Sequence, residues 1–199
     1  MLDNKYNHIE KEQKWQNFWQ ENEIYKFDKN SNKPTYSIDT PPPTVSGSLH
    51  LGHISGFTQA DMMARFHRMQ GYNMFYPLGF DNNGLPTELL VEKKKGIRAH
   101  TLPREEFTKI ALELVETYNQ QYRENMVKAG MSCDLSLGYN TIDSKSQKTS
   151  QKSFIELAQR GIAYRENKPG PWCCKCRTSV AAAELEDKDL PSIFNYLNF

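Results

Sequence analysis

Long apolar runs are missing from this 199-residue chain. None reaches the roughly 18 consecutive apolar residues that a bilayer-spanning helix needs. Residues 1–12 are polar and mixed in charge, without the apolar stretch of a secretory leader. The expectation is a soluble, cytoplasmic protein with no membrane partner. An excess of charge is missing too: 25 lysines and arginines face 24 aspartates and glutamates, leaving a formal net charge of +1. That excludes a small basic module that holds nucleic acid through its overall field, although it leaves open a contact made through other parts of a larger protein. Cysteine is scarce, with four residues at positions 133, 173, 174 and 176. A Cys-x-x-Cys spacing in an intracellular chain points to metal or redox chemistry ahead of a structural disulfide. Repeats and low-complexity tracts are absent. Aromatic residues, at 12%, are too frequent for a disordered chain, and the length suits one domain with a small appendage.

What is present reads as alternating elements. Ile9, Trp15, Phe18 and Trp19 recur near one face of a helix over residues 6–22, which should dock on the main domain. Residues 34–40 alternate Tyr36 and Ile38 with polar residues, as a strand does. Residues 52–70 carry Ile54, Phe57, Met62, Phe66 and Met69 at helical spacing, and Gly71 is placed to end that helix. The methionines are expected in the core. Residues 73–78 form the next strand, so strand, helix and strand make a βαβ unit of a parallel sheet. A long helix follows from Thr101, its expected cap, with Pro103, Glu105 and Glu106 in the first turn. Its inner face is Phe107, Ile110, Leu114, Tyr118, Tyr122 and Met126, and Gly130 closes it. Lys93, Lys94 and Lys95 read as a solvated face. Residues 132–143 read as irregular, with Cys133 a packed thiol beside Asp134, and residues 144–160 as a further helix ended by Gly161.

Two loops fall at the carboxyl ends of the strands, where ligands sit in open parallel sheets. In the first, Pro41, Pro42 and Pro43 stiffen the exit from the strand, and His50 and His53 flank Gly52 where the helix opens. A helix N-terminus offers free N–H groups and partial positive charge to phosphate oxygens. Gly52 removes the Cβ that would hold a flat ligand off the backbone, and two imidazoles add donors. Physically this is a nucleotide-triphosphate site without a Walker lysine. The rival is a helix start with two surface histidines.

The second loop, residues 79–88, runs Gly-Phe-Asp-Asn-Asn-Gly-Leu-Pro-Thr-Glu. Its glycines and proline set a tight path, with Asp81 at the strand's end. That carboxylate suits a substrate ammonium near the phosphate site, or a local cap for the next helix; the residues alone leave both open. Farther on, Cys173 and Cys176 have the spacing of a zinc knuckle. A structural zinc takes four ligands, and Cys174 is an awkward third. A thioredoxin-like pair is the alternative, but Pro169, Gly170 and Pro171 suggest a turn rather than the strand that motif follows.

The segment His50-Leu51-Gly52-His53, preceded by Pro-Pro-Pro-x-Val-x-Gly-Ser-Leu, resembles the HIGH signature of class I aminoacyl-tRNA synthetases, in the form of their valine branch. The second loop is similar to the Gly-Trp-Asp-x-x-Gly-Leu-Pro-x-Glu segment of the valine, isoleucine and leucine enzymes. Asn82-Asn83 and Thr87-Glu88 look most like the archaeal-type valine branch. Phe80 departs from the usual tryptophan, keeping an aromatic wall, and Thr44 stands for an asparagine common in bacterial members. Residues 163–184 resemble the entry to the connective, editing insertion, where half of a zinc ribbon sits.

The resemblance implies an α/β fold: the first half of a Rossmann-like, parallel-sheet catalytic domain, then the start of a zinc-knuckle insertion. The expected divisions are residues 1–33, a docking helix; 34–165, the catalytic half; and 166–199, the knuckle and the start of the insertion. It implies ATP with Mg2+ as substrate, valine and tRNA(Val) as partners, and Zn2+ on Cys173 and Cys176 if further ligands come from elsewhere. ATP would meet Pro43, Thr44, Gly47, His50, Gly52 and His53, with His50 and His53 catalytic. Valine would meet Pro42, Pro43, Thr44 and Asp81. On the same resemblance, a hydrophobic valine pocket rejects isosteric threonine poorly, a limit commonly illustrated with the family's valine branch, so the family edits its product. The family's lysine-bearing Lys-Met-Ser-Lys-Ser signature is absent, and residues 195–199 end as if a strand were cut. The chain is therefore expected to be an N-terminal fragment, inactive alone, with a complementary C-terminal chain as a partner. Other readings are an isoleucyl- or leucyl-type fragment, a nucleotidyltransferase of the same HIGH superfamily, and a non-enzymatic zinc-knuckle protein that binds tRNA.

Overall fold

The computed structural model describes residues 6–47, 49–182, 185–187, 189, 191, 193 and 195–197. Ser48, Ala183 and Glu184 of the motifs lie outside the described residues, as do Asn198 and Phe199; Asn195, Tyr196 and Leu197 carry no regular structure. The chain divides into two units, Met1–Ser153 and Phe154–Phe199. No helix among the described residues is long and apolar enough to cross a membrane.

The first unit is built on parallel strands. β1 (Thr35–Ser37) pairs in parallel with β2 (Asn73–Phe75), and β3 (Pro77–Phe80) with β4 (Asp134–Asn140). The strand expected over residues 73–78 is thus two strands, parted at Tyr76, that look to opposite neighbours. The carbonyl of Tyr76 accepts the Asp134 N–H at 2.8 Å, which starts the second pairing. The segment expected to be irregular is instead β4. At its start Asp134 turns back on Ser136, accepting from its N–H (2.9 Å) and hydroxyl (2.6 Å), and the register against β3 shifts between Pro77 and Gly79.

α2 (Leu51–Met69) crosses from the first strand to the second, and Gly71, at φ +89°, ends it as expected. Its inner face differs from the expected one. Met62 (64% exposed) and Met69 (82%) point outward with half-exposed Phe66, whereas Phe57, Asp61 and Ala64 are buried. Asp61 is the reason. It accepts from the Ser132 N–H and hydroxyl, both at 2.6 Å, and from Arg65 Nε at 2.7 Å, so one carboxylate ties α2 to the turn before β4.

The second loop is partly regular, its first two residues closing β3 and its last four opening α3 (Leu85–Lys95), which ends at Gly96 in the left-handed region. α4 (Arg104–Lys128) buries Phe107, Tyr118, Tyr122 and Met126 as its spacing requires. Its cap is Pro103; Thr101 instead closes a 3-10 turn, Ala99–Thr101, with its hydroxyl on the Arg98 carbonyl. The core gathers Val45, Leu78, Phe80, Tyr122 and Met126 between sheet and helices. α1 (His8–Glu21) docks through Trp19, which stacks under Arg65, while Ile9, Trp15 and Phe18 stay exposed. α5 (Ser144–Gln159) begins after Asp143, which accepts the Ser146 N–H at 2.7 Å, and Gly161 follows its end. Beyond it, β5 (Trp172–Cys173) and β6 (Thr178–Ser179) form an antiparallel hairpin.

Candidate active site and cysteine turn

The two loops meet along the backbone. Asp81 donates its N–H to the Pro43 carbonyl (3.0 Å) and accepts the Val45 N–H on its own carbonyl (2.9 Å), a parallel bridge between Thr44 and Asp81. The first loop is pinned twice more. Thr87 of α3 donates its hydroxyl to the Val45 carbonyl at 3.1 Å, and Tyr122 of α4 donates to the Gly47 carbonyl at 2.6 Å. Pro43 and Val45 are buried, while Pro42, Thr44 and Gly47 are partly open. Thr44 and Asp81 thereby lie side by side at the carboxyl end of the parallel strands.

The Asp81 carboxylate is held rather than free. Its Oδ1 accepts from the Thr141 hydroxyl (3.1 Å) and the Asn83 N–H (3.2 Å), and its Oδ2 from the Thr44 hydroxyl at 3.4 Å. The bond to Asn83 is a local turn. The cap of α3, however, is Gly84, so Asp81 is not the helix cap that the bland reading expected. Phe80 is no wall of the site: it is 0% exposed, edge-on to Tyr122 and beneath Arg123. A tryptophan's N–H in that core position would need a partner. Gly79 is demanded by a neighbour, because a Cβ there would lie 2.3 Å from Cζ of Tyr139 on β4. Asn82 buries its side-chain amide with neither end hydrogen-bonded among the described residues.

At the start of α2, His50 is the cap. Its Nδ1 accepts the His53 N–H at 3.4 Å, and the two rings stack 3.7 Å apart at 18°. Gly52 makes room for this, since a Cβ would sit 3.1 Å from Cε1 and Nδ1 of His50. Burial, and then the neighbouring His50, lower the pKa of His53, so its neutral form is favoured. The contacts of the two imidazoles are with each other; those of Asp81 are with Thr44, Asn83 and Thr141.

Sequence reasoning missed Tyr122, Thr87 and Thr141 as supports of this site. Tyr122 was legible only as a core residue. Thr141 lay in the stretch read as irregular, and nothing in its spacing relates it to Asp81, 60 residues away.

In the second unit, Cys173 closes β5 and Cys176 sits on the turn between β5 and β6. The Cys176 N–H points at Cys173 Sγ (3.3 Å), a bond that lowers the pKa of the Cys173 thiol, and Arg177 takes the left-handed conformation, φ +57°. Amide N–H groups directed at a sulfur favour thiolate. Among the described residues, however, no three His, Cys, Asp or Glu side chains gather into a metal-binding group, and Cys174 is exposed. The turn is prepared for a thiolate, but the described residues do not complete a closed zinc site. Cys133 is the opposite case: buried, with its thiol pushed up to about 12 by desolvation first and Asp61 second.

Parallel strands around a crossover helix, with a histidine-capped N-terminus and an anchored aspartate at one sheet end, define an α/β domain whose two loops lie where open parallel sheets hold ligands. Residues 14–195 match the model for class I tRNA synthetases (I, L, M and V), and the chain belongs to that family. Within it, the chain is 50% identical over 195 residues to the valine--tRNA ligases of Rickettsia conorii (strain ATCC VR-613 / Malish 7) and Rickettsia prowazekii (strain Madrid E). Those alignments cover 98% of this chain and 24% of each relative, so the chain spans about a quarter of their length. A solved structure, the Agrobacterium radiobacter K84 agnB2 LeuRS-tRNA-LeuAMS ternary complex, superposes with a TM-score of 0.74 at 25% identity, over 90% of this chain and 21% of that one.

Proposed function

We propose that this chain carries the valine- and ATP-binding part of a valine--tRNA ligase. In the reaction, a valine carboxylate oxygen attacks the α-phosphorus of ATP. The new O–P bond forms as the bond to pyrophosphate breaks, leaving valyl-adenylate, from which the valyl group passes to tRNA(Val). Such a transfer needs positioning and charge stabilisation rather than a protein nucleophile. Asp81 holds the valine ammonium, with Pro42, Pro43 and Thr44 around the side chain. The free N–H groups of α2, with His50 and His53, face the triphosphate and its Mg2+. His53, neutral at neutral pH, acts there as an N–H donor rather than a fixed cation. Gly47 and Gly52 let the backbone approach the nucleotide.

The observation that supports this reading best is the backbone bridge between Thr44 and Asp81, which joins the two motif loops at the sheet end. The identity to valine--tRNA ligases over 98% of the chain supports valine within the family. On the same reading, Cys173 and Cys176 supply two thiolates to a zinc site completed by ligands from beyond the hairpin, and the three divisions 1–33, 34–165 and 166–199 follow. A chain carrying the rest of the enzyme is the fitting partner.

The test is calorimetric titration of the purified chain with the valyl, isoleucyl and leucyl sulfamoyl-adenosines and with pantetheine. Tightest binding of the valyl compound, weakened at least tenfold by Asp81→Asn, is the expected result. Preference for pantetheine would favour the nucleotidyltransferase reading. Binding of tRNA that survives loss of both histidines but needs Cys173 and Cys176 would favour the accessory protein.

A further inference from the structure

Asp81 has a partner from outside both motif loops. We infer that Thr141, one residue past β4, is a positioning residue that sets the Asp81 carboxylate for the substrate ammonium, an inference that rests on the assignment of Asp81 given above. Three bonds define its place. Its backbone N–H donates to the Phe80 carbonyl at 3.0 Å, its side-chain oxygen accepts the Asn82 N–H at 2.9 Å, and its hydroxyl reaches Asp81 Oδ1 at 3.1 Å.

The chemistry of these groups leaves one arrangement. A backbone N–H only donates and an ionised carboxylate only accepts, so the Thr141 oxygen receives the first and its single proton goes to the second. Oδ1 therefore takes two hydrogen bonds, from Thr141 and Asn83. Among the described residues, Oδ2 takes only the longer one from Thr44. The carboxylate is turned so that Oδ2 keeps acceptor capacity for an incoming ammonium, while Oδ1 is saturated by the protein. Loop 79–88 cannot supply this alone, because Asn83 bonds Asp81 only within its own turn. Thr141 links the carboxylate to β4, the strand that also places Tyr139 over Gly79.

The test compares two ligands on the same chain: valyl sulfamoyl-adenosine and its deamino counterpart, 3-methylbutanoyl sulfamoyl-adenosine. The unsubstituted chain should prefer the amine. Thr141→Val should cut that preference roughly fivefold or more, the worth of one hydrogen bond to a charged group, and leave the deamino affinity unchanged. Thr141→Ser should restore it, and in an Asp81→Asn chain Thr141→Val should add no loss. Thr141→Ala is carried alongside, so that misfolding of the valine variant leaves the comparison intact. Full amine preference in the valine or alanine variant, or equal loss of both ligands in them without rescue by serine, overturns the inference while Asp81 keeps its role. No preference, or no binding, in the unsubstituted chain overturns the Asp81 assignment and the inference with it.

Discussion

Gly79 and His53 show how single positions constrain this site. A methyl group on Gly79 would overlap the Tyr139 ring at 2.3 Å from Cζ. Gly79→Ala should therefore destabilise the chain by about 1–3 kcal/mol, the usual cost of overpacking. In denaturant titration, Tyr139→Ala should remove most of that added penalty. His53 carries an electrostatic expectation. Because burial and His50 lower its pKa, its NMR titration midpoint should fall below the ordinary imidazole value of about 6.5. His50→Ala should raise that midpoint without fully restoring it, since burial is the larger cause. Linkage gives the sign for stability: below about 6.5 the unfolded chain binds more protons at this residue. Its contribution is complete above that value and is lost as the pH falls through the folded midpoint. A pH series of unfolding midpoints, with His53→Gln as reference, reads this directly.

Among the elements, α2 carries the sharpest lesson. Helical spacing placed it correctly, because apolar residues recur every three or four positions and Gly71 can adopt the positive φ that ends it. Spacing alone chose the wrong face. The charge balance of Asp61, Ser132 and Arg65 turns the helix, and those partners are 71 residues apart in the chain at their farthest. Asp61→Ala should cost about 3 kcal/mol, because the buried Ser132 N–H and hydroxyl both lose their acceptor. Met69→Lys, on the exposed side, should change stability by no more than about 0.5 kcal/mol. Thermal and chemical unfolding of the two variants would separate the observed face from the one that periodicity suggests. β4 does alternate, with Leu135, Leu137 and Tyr139 between polar residues and glycine; what the local pattern does not show is its pairing with β3, whose register shifts between Pro77 and Gly79.

Across the whole molecule, the cysteines separate into two environments. Cys133 is buried with its thiol pushed up to about 12, whereas Cys174 is exposed and Cys173 and Cys176 lie partly open on a hairpin. An alkylating reagent at neutral pH should label the last three and spare Cys133 until the chain unfolds, as mass spectrometry of the digested protein would record. Titration with Co2+ should give a thiolate charge-transfer band that disappears in both Cys173→Ser and Cys176→Ser. Its affinity should be weak, because two thiolates leave half of a tetrahedral site to other ligands.

The sequence by itself determined the βαβ frame, the C-terminal ends of the long helices, the packed character of Cys133 and the family. Each of these rests on local signals: periodicity, glycine at helix ends, and motifs whose residues are neighbours in the chain. Tertiary structure alone decided which face of α2 is buried, that residues 73–80 form two strands, and that Phe80 belongs to the core. It also decided that Tyr122, Thr87 and Thr141 hold the motif loops in place. Those outcomes depend on hydrogen bonds and packing between residues 42 to 75 positions apart, which no window along the chain can contain.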